Sequence, residues 1–205
     1  VRAVGLSQRD PGVARARILF RAMSHSPSDA DAALIRRLDR IEADVFADVF
    51  DACPPALAQG LGVRVVRHDG GAVSLLAPRL PTSFFNRTLC LGNDRPASEA
   101  DVDAVVDAHA SSGVPEYWVH LGPGARPAEL GAWLEARGLA IPQRRAWAKV
   151  HRGPGDVPHV PTSLRVAEIG PEQASAFARV VLAAFGMPPP MAPWIEALVG
   201  RTGNR

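Results

Sequence analysis

The sequence predicts an α/β (α+β) fold in which helices flank a mixed, mostly antiparallel sheet. Three observations predict it: an amphipathic segment over residues 28–53, two Val- and Leu-rich runs around Asp69-Gly70-Gly71, and alternating helix and strand signals after residue 98. The chain has 205 residues, of which 47% are hydrophobic and 21% charged. It is therefore long enough for one sizeable core, or for one domain and part of another.

The first helix is predicted to follow an N-terminal tail. Residues 1–27 are Arg-rich but lack the apolar stretch of a secretory signal, so we expect a disordered tail in which Met23 is a possible natural start. From Leu34 to Phe50 apolar residues recur at steps of three and four, which places them on one helix face. A Pro-Pro pair beginning at Pro54 then ends the helix.

Three strands are predicted next. The runs "VRVVR" and "AVSLL" flank Asp69-Gly70-Gly71, and glycine readily supplies the positive φ of a tight hairpin turn. The segment "SFFNRTLCLG", residues 83–92, is the predicted third strand.

Helices and strands alternate over the following residues. Ser98 is the predicted N-cap of a helix that Gly113 ends, with Asp101 three residues on. The segment "EYWVHL" is a short strand, "RPAELGAWLEARG" is a helix with Pro127 in its first turn, and "RRAWAKVHR" is a further strand. Residues 28–152 are therefore expected to form one domain.

A Pro- and Gly-rich stretch at residues 153–163 is typical of an interdomain linker. Beyond it, residues 164–169 alternate as a strand, Pro171 opens an amphipathic helix, and "WIEALVG" is a short second helix. We therefore expect residues 164–205 to be the N-terminal portion of a second, incomplete unit.

Composition argues against several kinds of partner. The net charge of +2 gives no electrostatic footprint for nucleic acid. No apolar run approaches the roughly 18 residues of a membrane helix. Cys53 and Cys90 lie far apart, without a CxxC pair or a His at ligand spacing. We expect reduced, buried thiols in a cytoplasmic protein, and no metal site.

Two short motifs each have a functional and a structural interpretation. Gly122-Pro123-Gly124 between a strand and a helix is the setting of a phosphate-binding loop, but Pro127 at the helix start explains the loop without a ligand. Glu99, Asp103 and Asp107 share one helix face and could hold a cation or act in acid–base chemistry. The apolar valines opposite them favour a solvated surface.

The segment after the predicted second-unit helix is both apolar and irregular. Phe185, Met187, Met191 and Trp194 surround a run of three prolines, residues 188–190. Large apolar side chains on such a loop either line a ligand pocket or pack beneath a domain that this chain does not contain.

The order of these elements resembles that of the GNAT N-acetyltransferase family, in its tandem-domain form. Residues 164–200 are similar to the opening of such a domain, with "LRVAEI" as first strand and "PEQASAFARVVLAAFG" and "APWIEALVG" as the first two helices. Residues 28–152 resemble most of another copy, entered at its first helix. The resemblance implies a fragment of a tandem protein, cut early in its second domain.

The family holds the pyrophosphate of acetyl-CoA on backbone amides of an [RQ]-x-x-G-x-[GA] stretch between its fourth strand and third helix. The corresponding segment here is "GNDRPASEAD", residues 92–101. Arg95 is present, but the glycines are missing and acidic residues replace them. The resemblance therefore implies a degenerate first unit without coenzyme-binding residues, and it puts the second unit's stretch beyond Arg205.

The resemblance implies that the full-length protein transfers an acyl group from its co-substrate acetyl-CoA to a small-molecule amine acceptor, while the present chain is inactive. It also implies packing of the two units against each other. No catalytic residue is assigned. In the family the loop between the first two helices shapes the acceptor pocket, so Phe185, Met187 and Trp194 are the acceptor-pocket candidates.

The alternative is a non-catalytic α/β module that binds a small molecule or a protein partner. Tyr117, Trp118 and His120, which follow one another on one strand, are its candidate residues.

Overall fold

A mixed sheet with helices on both faces forms the described part of the chain. The computed structural model describes residues 15–20, 29–80, 83–140, 152, 155–156 and 161–201. Its strands are β1 (Arg15–Phe20), β2 (Arg64–Arg67), β3 (Val73–Leu76), β4 (Arg87–Leu89) and β5 (Glu116–Leu121). Its helices are α1 (Asp29–Asp51), α2 (Pro55–Leu61), α3 (Glu99–Ser111), α4 (Leu130–Ala136), α5 (Ala174–Phe185) and α6 (Ala192–Glu196). The predicted α/β class is confirmed.

The five strands lie in the order β1-β5-β4-β3-β2. β2 with β3, and β3 with β4, pair antiparallel, whereas β5 pairs parallel with both β4 and β1. β4 and β5 face each other only at Arg87 and Thr88. Beyond Thr88 the two parallel strands no longer pair.

β1 corrects the expectation that residues 1–27 lie outside the folded unit. The strand pairs with β5 from Arg15 opposite Glu116 to Phe20 opposite Leu121. The Arg-rich composition of this stretch suggests a tail. A strand, however, is stabilised by backbone hydrogen bonds to a neighbouring strand, and composition does not reveal that neighbour.

The predicted hairpin is confirmed between β2 and β3. In its turn the His68 N–H donates to the carbonyl of Ala72 over 2.9 Å. Gly71 has a φ of 83°, and a side chain there would overlap the carboxylate of Asp94. Glycine is therefore required both by the backbone conformation and by the close approach of the loop that follows β4.

Three other elements differ from their predicted bounds. α2 was not predicted, and it begins at Pro55 because proline, which stops α1, is also well suited to a first helical turn. α4 begins at Leu130 rather than at Pro127. β4 covers three residues of the predicted ten, because Ser83–Phe85 form a 3₁₀ turn and Cys90 has a φ of 62°.

Side-chain alternation along the strands produces two hydrophobic clusters, one on each sheet face. The first, which we call the α1-face cluster, combines Val73, Leu75 and Leu89 with residues of α1, α5 and α6. The second, the α3-face cluster, combines Leu76, Val119 and residues of α3 and α4.

Residues 164–169 do not form the predicted strand; they have no regular secondary structure and are almost entirely exposed. Leu164 and Val166 are 76% and 86% exposed. The alternation of apolar and polar residues predicts a strand, but a strand also requires a neighbouring strand to pair with. No described strand lies beside this segment. The predicted strand at residues 144–152 lies outside the described residues, apart from Arg152.

The helices that follow join the α1-face cluster. α5 contributes Ala178 and Leu182 to it, and α6 contributes Trp194 and Ile195. The guanidinium of Arg201 also pairs with Asp48 on α1. The described residues after position 170 therefore share a core with the unit assigned to residues 28–152. The predicted linker at residues 153–163 lies mostly outside the described residues.

Candidate functional site

The connection between β4 and α3 contains most of "GNDRPASEAD", the segment that the sequence resemblance aligns with the pyrophosphate-binding stretch of the GNAT family. Asp101 closes the amino end of α3: its Oδ2 accepts hydrogen bonds from the N–H and the hydroxyl of Ser98, both over 2.7 Å. The Asp101 N–H donates in return to the Ser98 hydroxyl over 3.2 Å, which completes a capping box. The N–H groups of Ser98 and Asp101, which could otherwise hold a phosphate, are therefore used within the chain.

Arg95 reinforces this arrangement. Its two terminal nitrogens donate to the two Asp101 oxygens, each over 2.8 Å. The hydrogen bonds from Arg95, followed by those from Ser98, hold the pKa of Asp101 well below its usual range despite partial burial. The hairpin turn lies against the same carboxylate, since a Cβ on Gly70 would come within 2.9 Å of Asp101 Oδ1. Arg95 thus neutralises a neighbouring acid.

The gap beyond the paired part of β4 and β5 is bridged by backbone. The Arg126 N–H donates to the Gly92 carbonyl over 3.0 Å, and the Ala97 N–H donates to the Arg126 carbonyl over 2.9 Å. A side chain on Gly92 would overlap the Arg126 carbonyl oxygen. The loop after β5 is therefore fastened directly to the loop after β4.

The loop Gly122–Pro127 does not lead directly into a helix, because α4 begins only at Leu130. A side chain on Gly122 would overlap the carboxylate of Asp39, and one on Gly124 would approach the Arg36 side chain on α1. These glycines allow α1 to pack closely on the loop. An acidic and a basic side chain of α1 therefore both approach this loop, and close packing explains its glycines without a ligand.

A chain of buried hydrogen bonds crosses the sheet on the α3 side. His68 Nε2 lies 2.8 Å from the Ser74 hydroxyl, which lies 2.7 Å from the Thr88 hydroxyl, which lies 2.9 Å from His109 Nε2. Ser74, Thr88 and His109 are each 0% exposed, and the His109 ring stacks on Tyr117 at 3.9 Å. Only His68, which is partly exposed, connects the chain to solvent.

The unpartnered nitrogen of His109 fixes the direction of these bonds. Among the described residues its Nδ1 is buried without a hydrogen-bond partner. A buried N–H without an acceptor is rarer than an unused lone pair, so we assign the proton to Nε2, which donates to Thr88. Thr88 then donates to Ser74, and Ser74 donates to His68. Burial, and to a lesser extent the nearby His68, lowers the pKa of His109 to about 3, so its ring is neutral.

The opposite face of the sheet buries a charge. Arg87 on β4 is 2% exposed, and its only described ion pair joins Nη1 to Glu42 Oε1 at 3.9 Å. Its Cζ lies over the rings of Phe46 and Phe84, at 3.9 and 4.5 Å from their centroids. Nε and Nη2 are buried and have no hydrogen-bond partner among the described residues. Burial lowers the pKa of Arg87 to about 10, partly offset by Glu42.

The three acceptor-pocket candidates are not brought together. Trp194 is 1% exposed, its Nε1–H donates to the Val49 carbonyl over 2.7 Å, and its ring contacts Phe50 with centroids 5.4 Å apart. Phe185 is 74% exposed at the end of α5, whereas Met187 packs, half-buried, against the α1-face cluster. Trp194 and Met187 thus pack against the core of this chain itself, which neither interpretation of the segment predicted.

The remaining candidates are divided between elements. Tyr117 faces the α3-face cluster, while alternation along β5 turns Trp118 and His120 to the opposite face. They therefore cannot line one site. On α3, Glu99 and Asp103 both pair with Arg137 after α4, at 3.1 and 2.5 Å. This contact between helices was not predicted.

Both cysteines are buried and neither forms a disulfide, and burial raises the pKa of Cys53 to about 11. Over the described ranges, no cluster of three or more His, Cys, Asp or Glu side chains is arranged to hold a metal ion. Within the same ranges, no helix has the length and apolar character needed to cross a bilayer.

Comparison of the chain with protein-family models, with curated proteins and with solved structures gives no significant match. Function is therefore argued from the geometry above.

Sequence reasoning missed Arg87, Ser74 and Thr88. A signal was present for Arg87, because it has the same strand parity as the apolar Leu89 and therefore faces the same core. No comparable signal marks Ser74 and Thr88, whose role depends on a helix that follows later in the chain.

Proposed function

We propose that the chain is part of a GNAT-type N-acyltransferase, in which the unit of residues 28–152 is a non-catalytic domain that does not bind acetyl-CoA in the family manner. In the full-length protein an acyl group would pass from acetyl-CoA to a small-molecule amine. The single observation that carries the non-catalytic role is the closure of the α3 amino end by Asp101.

Geometry and charge both support this role. A pyrophosphate needs free N–H groups at a helix amino end and no competing anion. Here Ser98 and Ala97 already donate their N–H groups within the chain. Asp94 and Asp101 add two carboxylates to the same connection, although each is paired with an arginine. A dianionic ligand would have to displace these contacts without a glycine-rich loop to receive it.

Isothermal titration of the chain with acetyl-CoA tests the proposed role. We expect no saturable binding at acetyl-CoA concentrations up to about 1 mM, so any binding free energy should be weaker than about −4 kcal/mol. Coenzyme A and adenosine 3′,5′-bisphosphate serve as further probes, because partial binding would then be detected. Saturable binding that is weakened by Gly92→Val would contradict the non-catalytic role directly.

The acyl-transfer part requires a separate measurement. A chain extended past Arg205 is expected to release free coenzyme A from acetyl-CoA when small primary amines are supplied, while the 205-residue chain does not. An extended chain that neither binds acetyl-CoA nor releases thiol would refute this part.

A second candidate, a small-molecule-binding module, is favoured by one observation. Arg87 buries two donor groups without a partner among the described residues, and proteins rarely leave such groups unused. The residues first expected for this function, Tyr117, Trp118 and His120, do not share a face, so the candidate rests on Arg87 instead.

A further inference from the structure

We infer that Arg87 forms the floor of a binding site for a small, monoanionic organic carboxylate with an apolar body. The inference rests on the second candidate function above and is independent of acyl transfer, because it uses the sheet face opposite the β4–α3 capping box.

The two unpartnered nitrogens define the shape of the ligand. Nε and Nη2 lie on the same edge of the guanidinium, and their N–H bonds point the same way, as a fork. A planar carboxylate accepts both bonds at once, which is the commonest bidentate pairing of arginine. The only described ion pair of Arg87 uses the other nitrogen, Nη1. The fork is therefore left for a second anion.

The aromatic rings do not accept the hydrogen bonds of this edge. Phe46 and Phe84 each present a ring face to Cζ, at 3.9 and 4.5 Å. Rings above a guanidinium stabilise its charge without accepting its in-plane hydrogen bonds. A carboxylate that binds in the plane would place its apolar body against these ring edges. Phe84 is 40% exposed, so a ligand would have to displace this surface ring to reach the buried edge.

The local charge selects one class of anion. Glu42 lies on α1 four residues before Phe46, and its Oε1 is 3.9 Å from Nη1. It already offsets part of the positive charge of Arg87. Because Arg87 and Glu42 together are already neutral, a bound monocarboxylate adds a single negative charge, whereas a phosphate dianion adds two and is repelled more strongly by Glu42. We therefore assign a monocarboxylate rather than a phosphate.

The buried charge also shows what the ligand does for the fold. A buried guanidinium with an incomplete set of partners destabilises the chain, and apolar replacements of such groups are often neutral or stabilising. Without ligand, Arg87→Met should therefore melt at the same temperature as the wild type or above it. An arginine that serves only to hold Glu42 would instead lower the Tm when removed.

The test is titration of the full chain with acetate, benzoate and 3-phenylpropionate, followed by calorimetry and thermal melting. 3-Phenylpropanamide, which has the same body without the charge, and inorganic phosphate are the control probes. We expect saturable binding of at least one aromatic acid and a rise in Tm of about 3–6 °C at ten times its Kd. The amide and phosphate should produce no shift.

Three variants tie the binding to Arg87. Arg87→Met should abolish the ligand-induced shift, and Arg87→Lys, which keeps the charge but loses the planar fork, should weaken binding at least about tenfold. Arg67→Met removes an arginine of β2, two strands away from β4, whose side chain is 60% exposed, and it should bind like the wild type. Because Arg87→Lys retains a buried cation, it keeps the test decisive if Arg87→Met does not fold.

Each contrary outcome overturns the inference. Equal binding of the acids by the wild type and Arg87→Lys would place the site elsewhere. Binding of phosphate but of no carboxylate would refute the assigned class. The absence of any shift in the wild type with all three acids would show that the fork is not a ligand site.

Discussion

Replacing His109 by glutamine should remove much of the acid sensitivity of the fold. The imidazole is 0% exposed, and burial lowers its pKa from 6.5 to about 3. Because the folded state resists protonation while the unfolded chain binds a proton near pH 6.5, stability is complete above that pH. It is lost progressively as the pH falls from 6.5 toward 3.

The size of the effect follows from the shift. At pH 5 the unfolded histidine has gained about 1.5 pH units of protonation free energy that the folded state does not share. At 1.36 kcal/mol per unit, this is about 2 kcal/mol of lost stability relative to pH 7.5. His68, whose pKa burial also lowers, contributes in the same direction, so the informative quantity is the difference between wild type and His109→Gln.

Urea unfolding followed by tryptophan fluorescence at pH 5, 6 and 7.5 measures this difference. Glutamine can still donate to Thr88, so the variant is expected to fold, though less stably at pH 7.5 because the stack on Tyr117 is lost. His68→Gln is the matched control, since it alters the exposed end of the same hydrogen-bond chain. Parallel pH profiles for wild type and His109→Gln, or an NMR titration of His109 near pH 6.5, would refute the reasoning.

Three further substitutions probe other parts of the fold. Trp194→Ala should cost about 3–5 kcal/mol in urea unfolding, because a 1% exposed ring and its hydrogen bond are removed. Phe185→Ala should change stability by less than about 0.5 kcal/mol, since the ring is 74% exposed; a larger loss would show that it packs. Gly71→Ala should be more destabilising than Gly113→Ala, which shares the positive φ but meets no atom within 4 Å. Equal losses would exclude a clash with Asp94.

Local signals predicted the elements that local chemistry determines. The hairpin follows from Asp69-Gly70-Gly71, because only a tight turn with a positive φ connects two short strands at that distance. α3 follows from Ser98 and Asp101, whose capping bonds are made within four residues. Both were predicted close to their observed bounds.

The remaining features depend on residues far apart in the chain. The positions of Glu42, Phe46 and Phe84 around Arg87 require α1, a 3₁₀ turn and β4 to meet, and no sequence period reports that meeting. The burial of Trp194 depends on Val49 and Phe50, about 145 residues earlier. The sequence left two interpretations of the irregular apolar loop open for this reason: hydrophobicity indicates that a side chain is covered, but it does not indicate by which residues.

The indole of Trp194 has a practical consequence for dividing the chain. It packs against Phe50 and Phe85, so α5 and α6 cover part of the α1-face cluster and do not form a separate unit. Truncating the chain within the Pro- and Gly-rich residues 153–163 would remove both helices and expose a hydrophobic aromatic surface to water. The truncated chain should aggregate or bind hydrophobic dyes, even though the truncation falls at the predicted interdomain linker.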